Sequence, residues 1–137
     1  MQAHEILRKA IDILHLGWSQ GAAARDAGGV PVPLFTGDVA NVNPAAARLS
    51  AYGAIVKAQY GAHGALRASD WDLIYRRARD RVQHCPSHPL MMFNDAPGRT
   101  VDEVISFLED CAAELEAGVT VDPPFPIGNP AFREMKP

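Results

Sequence analysis

The sequence predicts a mainly α protein: one domain of about four principal helices, a small β-hairpin or extended element after the first helix, and a proline-rich C-terminal tail. Three observations lead there. Four segments place apolar residues at helical spacing, and cap-type residues stand at their ends. An Asp/Gly cluster and a Pro-x-Pro run break that pattern between residues 26 and 33. The expected division is a helical domain over 1–118 and a tail over 119–137, and 137 residues suffice to bury one core without disulfides.

Ile6, Leu7, Ala10, Ile11 and Leu14 define the buried stripe of the first helix, with Glu5 and Lys9 paired four apart elsewhere on its surface. Gly17 stands where a left-handed cap would end it, and Trp18 where the cap's apolar partner would fold back toward Ile13. Asp26-Ala27-Gly28-Gly29 reads as a hairpin-like turn, while Pro31 and Pro33 confine the next segment to an edge strand or extended arm. Asn43-Pro44 reads as a helix start, giving a second helix over Ala45–Ala58. Its small residues Ala46, Ser50, Gly53, Ala54 and Ala58 would admit another backbone and set it at the centre of the packing.

Ser69-Asp70-Trp71-Asp72 resembles a capping box for a third helix, whose stripe is Trp71, Ile74, Tyr75, Ala78 and Val82 and which Pro86 and Pro89 end. Leu90-Met91-Met92-Phe93 reads as a buried extended run. Thr100-Val101-Asp102-Glu103 is a full capping box opening the fourth helix, with Val104, Leu108, Cys111, Ala112 and Leu115 inward and Gly118 as its closure. Five prolines after Val119 exclude a regular helix throughout the tail, which would wrap the body or await a partner.

Composition narrows the function classes. A formal net charge of -3 disfavours a dedicated nucleic-acid binder. Cys85 and Cys111 make no disulfide framework and read as free thiols of a reducing compartment, and neither a signal peptide nor a membrane-length apolar run is present. A soluble, cytoplasmic protein is expected. No Ser/His/Asp elbow, phosphate-binding glycine loop or zinc-protease pair occurs, so catalysis is not the leading expectation.

Two segments concentrate the unusual polar chemistry: Gly17-Trp18-Ser19-Gln20-Gly21 through Arg25-Asp26, and Phe93-Asn94-Asp95 through Arg99-Thr100. If their loops meet, Trp18, Gln20, Arg25, Asp26, Asn94, Asp95 and Arg99 either clasp the loops together or form a pocket for a phosphate, carboxylate or ribose. The clasp is the stronger reading, because buried polar groups need partners in any case. His84, Cys85 and His88 invite a metal, yet Pro86 breaks the helical His face and only Asp80, Asp95 or distant His63 could complete a tetrahedral set, so no metal or cofactor is expected. Arg76, Arg77, Arg79 and Arg81 make the third helix basic, whereas the fourth carries six acidic residues and no basic one. Solvated faces explain both; the sharper reading gives them opposite protein partners, or joins the basic helix of one copy to the acidic helix of another.

The run Gly17-Trp18-Ser19-Gln20-Gly21-Ala22 with Ala24-Arg25-Asp26, then Gly53-Ala54, then Asn94-Asp95 with Gly98-Arg99-Thr100 and Glu103-Val104, resembles a family of small uncharacterised proteins of bacterial and phage genomes, a domain of unknown function. The resemblance spans roughly residues 5 to 115 and leaves the proline-rich tail outside. In that family the position of Ser19 is often cysteine and that of Phe93 often tryptophan, so the resemblance does not imply an obligatory thiol. It implies a shared architecture and marks the same loops, without naming a reaction.

The first functional expectation is a non-enzymatic binding or accessory protein, with a phage origin among the expectations, acting through its charged helices, tail or Arg/Asp loops. The alternative is a small-molecule or nucleotide-like ligand pocket built from the Arg25-Asp26 and Asn94–Arg99 loops, with or without catalysis. Self-association and salt-sensitive nucleic-acid binding through the third helix rank behind these.

Overall fold

The computed structural model describes residues 1–36, 41–61, 65–82 and 88–122. Within them the chain is mainly α, in the order α1 (Ala3–Leu16), β1 (Ala24–Arg25), β2 (Phe35–Thr36), β3 (Asn41–Val42), β4 (Arg48–Leu49), α2 (Ala51–Gly61), α3 (Ala68–Asp80), α4 (Pro89–Asp95) and α5 (Val101–Glu116). The amphipathic α1 packs its Ile6, Leu7, Ala10, Ile11 and Leu14 stripe against α5 on one side and α2 on the other. Arg8 closes the rim of the first contact with a 2.7 Å bond to Glu116. Thus α1 makes the broadest helix packing, while the small-residue helix α2 lies between it and α4.

Local signals account for several helix ends. Thr100 and Glu103 form the capping box of α5: Glu103 N donates to Thr100 Oγ1 at 3.2 Å and Thr100 N to Glu103 Oε1 at 2.9 Å. Its other end closes when Gly118 N reaches the Leu115 carbonyl and Val119 N that of Glu114, a Schellman pair. Beyond that closure Val119 and Val121 still pack on the core. The proline-rich run from 123 onward lies outside the described residues, as do His84 and Cys85.

Elsewhere the structure corrects the reading. Asn43 opens a turn instead of a helix: its side chain accepts from Ala45 N and its carbonyl from Ala46 N, after which the chain runs into β4. Helix α2 starts eight residues after Asn43, where Ser50 Oγ accepts from Gly53 N. At α3 the N-cap is Arg67 and not Ser69, with Asp70 Oδ2 accepting from Arg67 N at 2.8 Å. The Leu90–Phe93 run is helical, not extended, because Pro89 occupies the first turn of α4 and His88 Nδ1 accepts from Met91 N.

The element after α1 is a small antiparallel pairing, β1 with β4 and β2 with β3. Asp26 makes the expected turn, its Oδ1 accepting from Gly28 N and Val30 N, each at 2.9 Å. Residues 17–19 pair with the other side of β4: Leu49 N donates to the Gly17 carbonyl and Ser19 N to that of Leu49. Gly17 is therefore no left-handed cap. Its φ of 173° is extended, and glycine is needed because a Cβ there would stand 2.5 Å from the Ala47 carbonyl oxygen. A Cβ at Gly53 would meet the Ala23 carbonyl at 2.7 Å, so one small residue of α2 does admit a neighbouring backbone.

Gly17→Ala is expected to lose about 1–3 kcal/mol of stability, because backbone faces the new methyl and neither strand can yield cheaply. Gly61→Ala, where nothing lies within 4 Å of the added carbon, should stay within about 0.5 kcal/mol of wild type. Urea denaturation of the two variants beside wild type measures both.

Candidate functional site

The two polar segments meet, and Asn94 is their centre. This residue lies in the last turn of α4 with no exposed surface, so its amide must be satisfied by protein. Its Oδ1 accepts from Trp18 Nε1 at 2.9 Å and from Ala51 N at 3.0 Å. Its Nδ2 donates to the Ser19 carbonyl and to Asp95 Oδ1, both at 2.9 Å. One side chain thereby caps the start of α2, holds the indole of Trp18 and fixes the 18–21 loop.

Gln20 works on the same end of α4 from the opposite loop. Its Nε2 donates to the carbonyls of Asn94 at 3.1 Å and Ala96 at 3.0 Å, oxygens that a helix terminus leaves without intrahelical partners. Asp95 Oδ1 in turn accepts from Gly21 N at 2.9 Å. Trp18, Gln20, Asn94 and Asp95 thus form one connected network.

The remaining three candidates attach to that network or stand apart from it. Arg25 curls over its own loop, Nε and Nη2 donating to the Gln20 carbonyl and Nη1 to that of Gly29. Asp26 holds the turn already described. Arg99 Nε donates to the Phe93 carbonyl at 2.9 Å, its guanidinium carbon stands 4.0 Å from the centroid of the Phe93 ring, and Nη1 approaches Glu103 at 3.4 Å. Arg25 and the Nε of Arg99 are thus turned onto backbone oxygens, while Arg99 Nη1 faces a carboxylate at the surface.

Charge on α3 is answered within the chain. Arg77 makes a two-pronged pair with Glu114 of α5, both contacts 2.8 Å, which raises the guanidinium further and holds the carboxyl below its usual range. Arg81 reaches Asp110 at 3.3 Å and lies 4.8 Å from the Phe107 ring centroid, while Arg76 and Arg77 both approach Asp80 at 3.8 Å. Arg79 is also engaged. The basic and acidic helices meet within one molecule.

Aromatic packing between helices was not foreseen, since its members are scattered along the chain. Tyr52 of α2, Trp71 and Tyr75 of α3, and His88 before α4 form one cluster: Trp71 stacks on Tyr75 with centroids 5.4 Å apart, and the His88 ring meets Tyr52 and Tyr75 edge-on at 5.1 Å each. Burial lowers His88 to about 4 and raises the Tyr75 phenol above its ordinary range. Because Nδ1 accepts from Met91 N, the ring proton sits on Nε2, 3.5 Å from Tyr75 Oη. Cys111 is buried on the inner face of α5, its thiol pushed up to about 12 by burial.

Three hollows open on the surface near these features. One of about 700 Å³ is lined by Val82, Met91, Met92, Pro97, Arg81 and Arg99, with Asp95 and Ala96 also in its wall. A second, about 350 Å³, shares Arg81 and Arg99 and adds the acidic Asp102, Glu103 and Asp110. A third, about 270 Å³, is aromatic and lies between α2 and the start of α3. The described residues contain no cluster of three or more His, Cys, Asp or Glu side chains placed to hold a metal ion. None of their helices is long and apolar enough to cross a membrane.

Asn94→Ala should cost about 3 kcal/mol or more, because it strands the Trp18 indole N–H, the Ala51 N–H and the Ser19 carbonyl together. Asp26→Ala, at a more exposed turn, should cost about 1 kcal/mol, and chemical denaturation ranks the two. The depressed His88 pKa adds a pH signature: the unfolded chain takes up a proton near 6.5 that the folded chain refuses until about 4. Stability contributed by neutral His88 is complete above pH 6.5 and should fall by about 3 kcal/mol as pH drops toward 4. His88→Asn, which keeps an N-cap acceptor, should flatten that part of the stability–pH curve.

The chain belongs to a family of unknown function, DUF6197, whose model matches residues 1–114. No curated protein and no solved structure matches it.

Proposed function

We propose that this member of the family is a non-enzymatic binding protein of the cytoplasm, and that its partner is a protein presenting an acidic, apolar segment. The observation that carries the reading is the hollow of about 700 Å³ between the end of α3, α4 and the 95–99 loop. Its wall sets the half-exposed Met91 and Met92 beside Val82 and Pro97, with the guanidiniums of Arg81 and Arg99 in the same lining. Methionine thioethers adapt to irregular apolar surfaces, and the two guanidiniums, now facing the exposed Asp110 at 3.3 Å and Glu103 at 3.4 Å, can exchange those partners for a carboxylate of the segment. Of the four arginines singled out on the third helix, Arg81 is the one in this wall.

The binding reading also draws support from the interior. Asn94, Gln20 and Arg25 are spent on backbone groups, and Cys111 is buried with a raised pKa. A second reading remains attached to the same place. Asp95, Ala96, Pro97 and Arg99 of the second candidate loop line the hollow, whose volume lies in the range of ligand pockets, so a small anionic ligand is the alternative occupant.

The test is a purified partner captured from an extract of the source cell, titrated by calorimetry. Arg81→Glu and Met92→Glu should each weaken binding at least tenfold while leaving the melting temperature within a few degrees of wild type. Retained affinity in both variants would sink the reading. Shifts of the Met91 and Met92 methyl resonances with a nucleotide or dicarboxylate, and with no protein partner, would transfer the site to the alternative.

A further inference from the structure

The aromatic hollow lies outside the surface just proposed. Phe35, Tyr52, Tyr60 and Trp71 line it together with Val56, Leu66, Ala65 and Gln59, and none of these described residues carries a charge. Phe35 and Tyr60 are 40% and 48% exposed and meet edge to face with centroids 6.3 Å apart, forming an open rim. Tyr52 and Trp71, 5.9 Å apart, form a floor braced from behind by Tyr75 and His88. Gln59 Oε1 accepts from Leu66 N at 2.7 Å, tying the α2 side of the hollow to the start of the α3 side.

We propose that this aromatic hollow binds a small quaternary ammonium compound, its trimethylammonium head held among the four rings. Aromatic faces carry negative electrostatic potential, and a methylated ammonium has little hydration to lose, so a cage of rings suits it. Among the described lining residues an anion finds no cationic side chain. A lipid tail is too long for about 270 Å³, whereas a trimethylammonium head fits with room to spare. The bracing of Trp71 and Tyr52 by the buried cluster keeps the floor preorganised, and the chain's net charge of -3 favours a cation over an anion at encounter.

Calorimetric titration of the full chain with choline and with 3,3-dimethylbutan-1-ol, its neutral isostere, tests the proposal. Choline should bind at least tenfold more tightly than the isostere, and Phe35→Leu and Tyr60→Leu should each weaken it fivefold or more. Both substitutions sit on the exposed rim, so an unchanged melting curve separates loss of binding from loss of fold. Equal binding of the two compounds would make the hollow a plain apolar pocket and overturn the assignment, as would no heat from choline at millimolar concentration. A trimethyllysine peptide binding more tightly than choline would overturn the small-molecule source.

Discussion

The buried amide of Asn94 is the point through which separate parts of the chain are joined. Its oxygen and nitrogen make four bonds, to the Trp18 indole, the Ala51 N–H, the Ser19 carbonyl and the Asp95 carboxylate. An amide offers two donors and two acceptor sites, and here each is taken. The same side chain therefore caps α2 and anchors the loop leaving α1 to the last turn of α4. A carboxylate in its place would turn an acceptor toward the Ser19 carbonyl, and a hydrocarbon would leave every partner unsatisfied in a dry interior.

Around that point the molecule turns its cations inward onto its own oxygens and rings. Arg25 and Gln20 serve carbonyls of the loop and of α4, and Arg99 serves the Phe93 carbonyl. Phe93 and Phe107 pack with centroids 4.6 Å apart, with Arg99 over the first ring and Arg81 over the second. This column joins α4 to α5 and brings two guanidiniums into the same hollow as Met91 and Met92, at the edge of the clasp and not within it.

The contact between α2, α3 and the start of α4 is organised by rings instead of amides. His88 stays neutral because burial disfavours its charged form, and it links α2, α3 and the start of α4 through Tyr52 and Tyr75. That support lets Trp71 and Tyr52 present a fixed floor to the aromatic hollow. The two surface features thus rest on two interior devices, which α4 connects: His88 caps the helix whose Met91 and Met92 line the first hollow.

What the sequence determined by itself was what local chemistry determines. The apolar period of α1, the Thr100/Glu103 box, the Gly118 closure and the Asp26 turn all involve groups within a few residues of one another, and all were legible. The start of α2 was not: Asn43-Pro44 has the local form of a helix start, but pairing of β4 with β1 and with residues 17–19 holds Arg48 and Leu49 extended. The unusual loops could be singled out from their composition, and a mutual clasp was the stronger expectation. Which groups they would hold was decided only by the tertiary structure, because the Asn94 amide selects partners 43 and 75 residues away and no local pattern encodes that distance. The same holds for Gly17, whose missing Cβ answers a carbonyl thirty residues on, and for the aromatic cluster, whose members meet only once three helices pack.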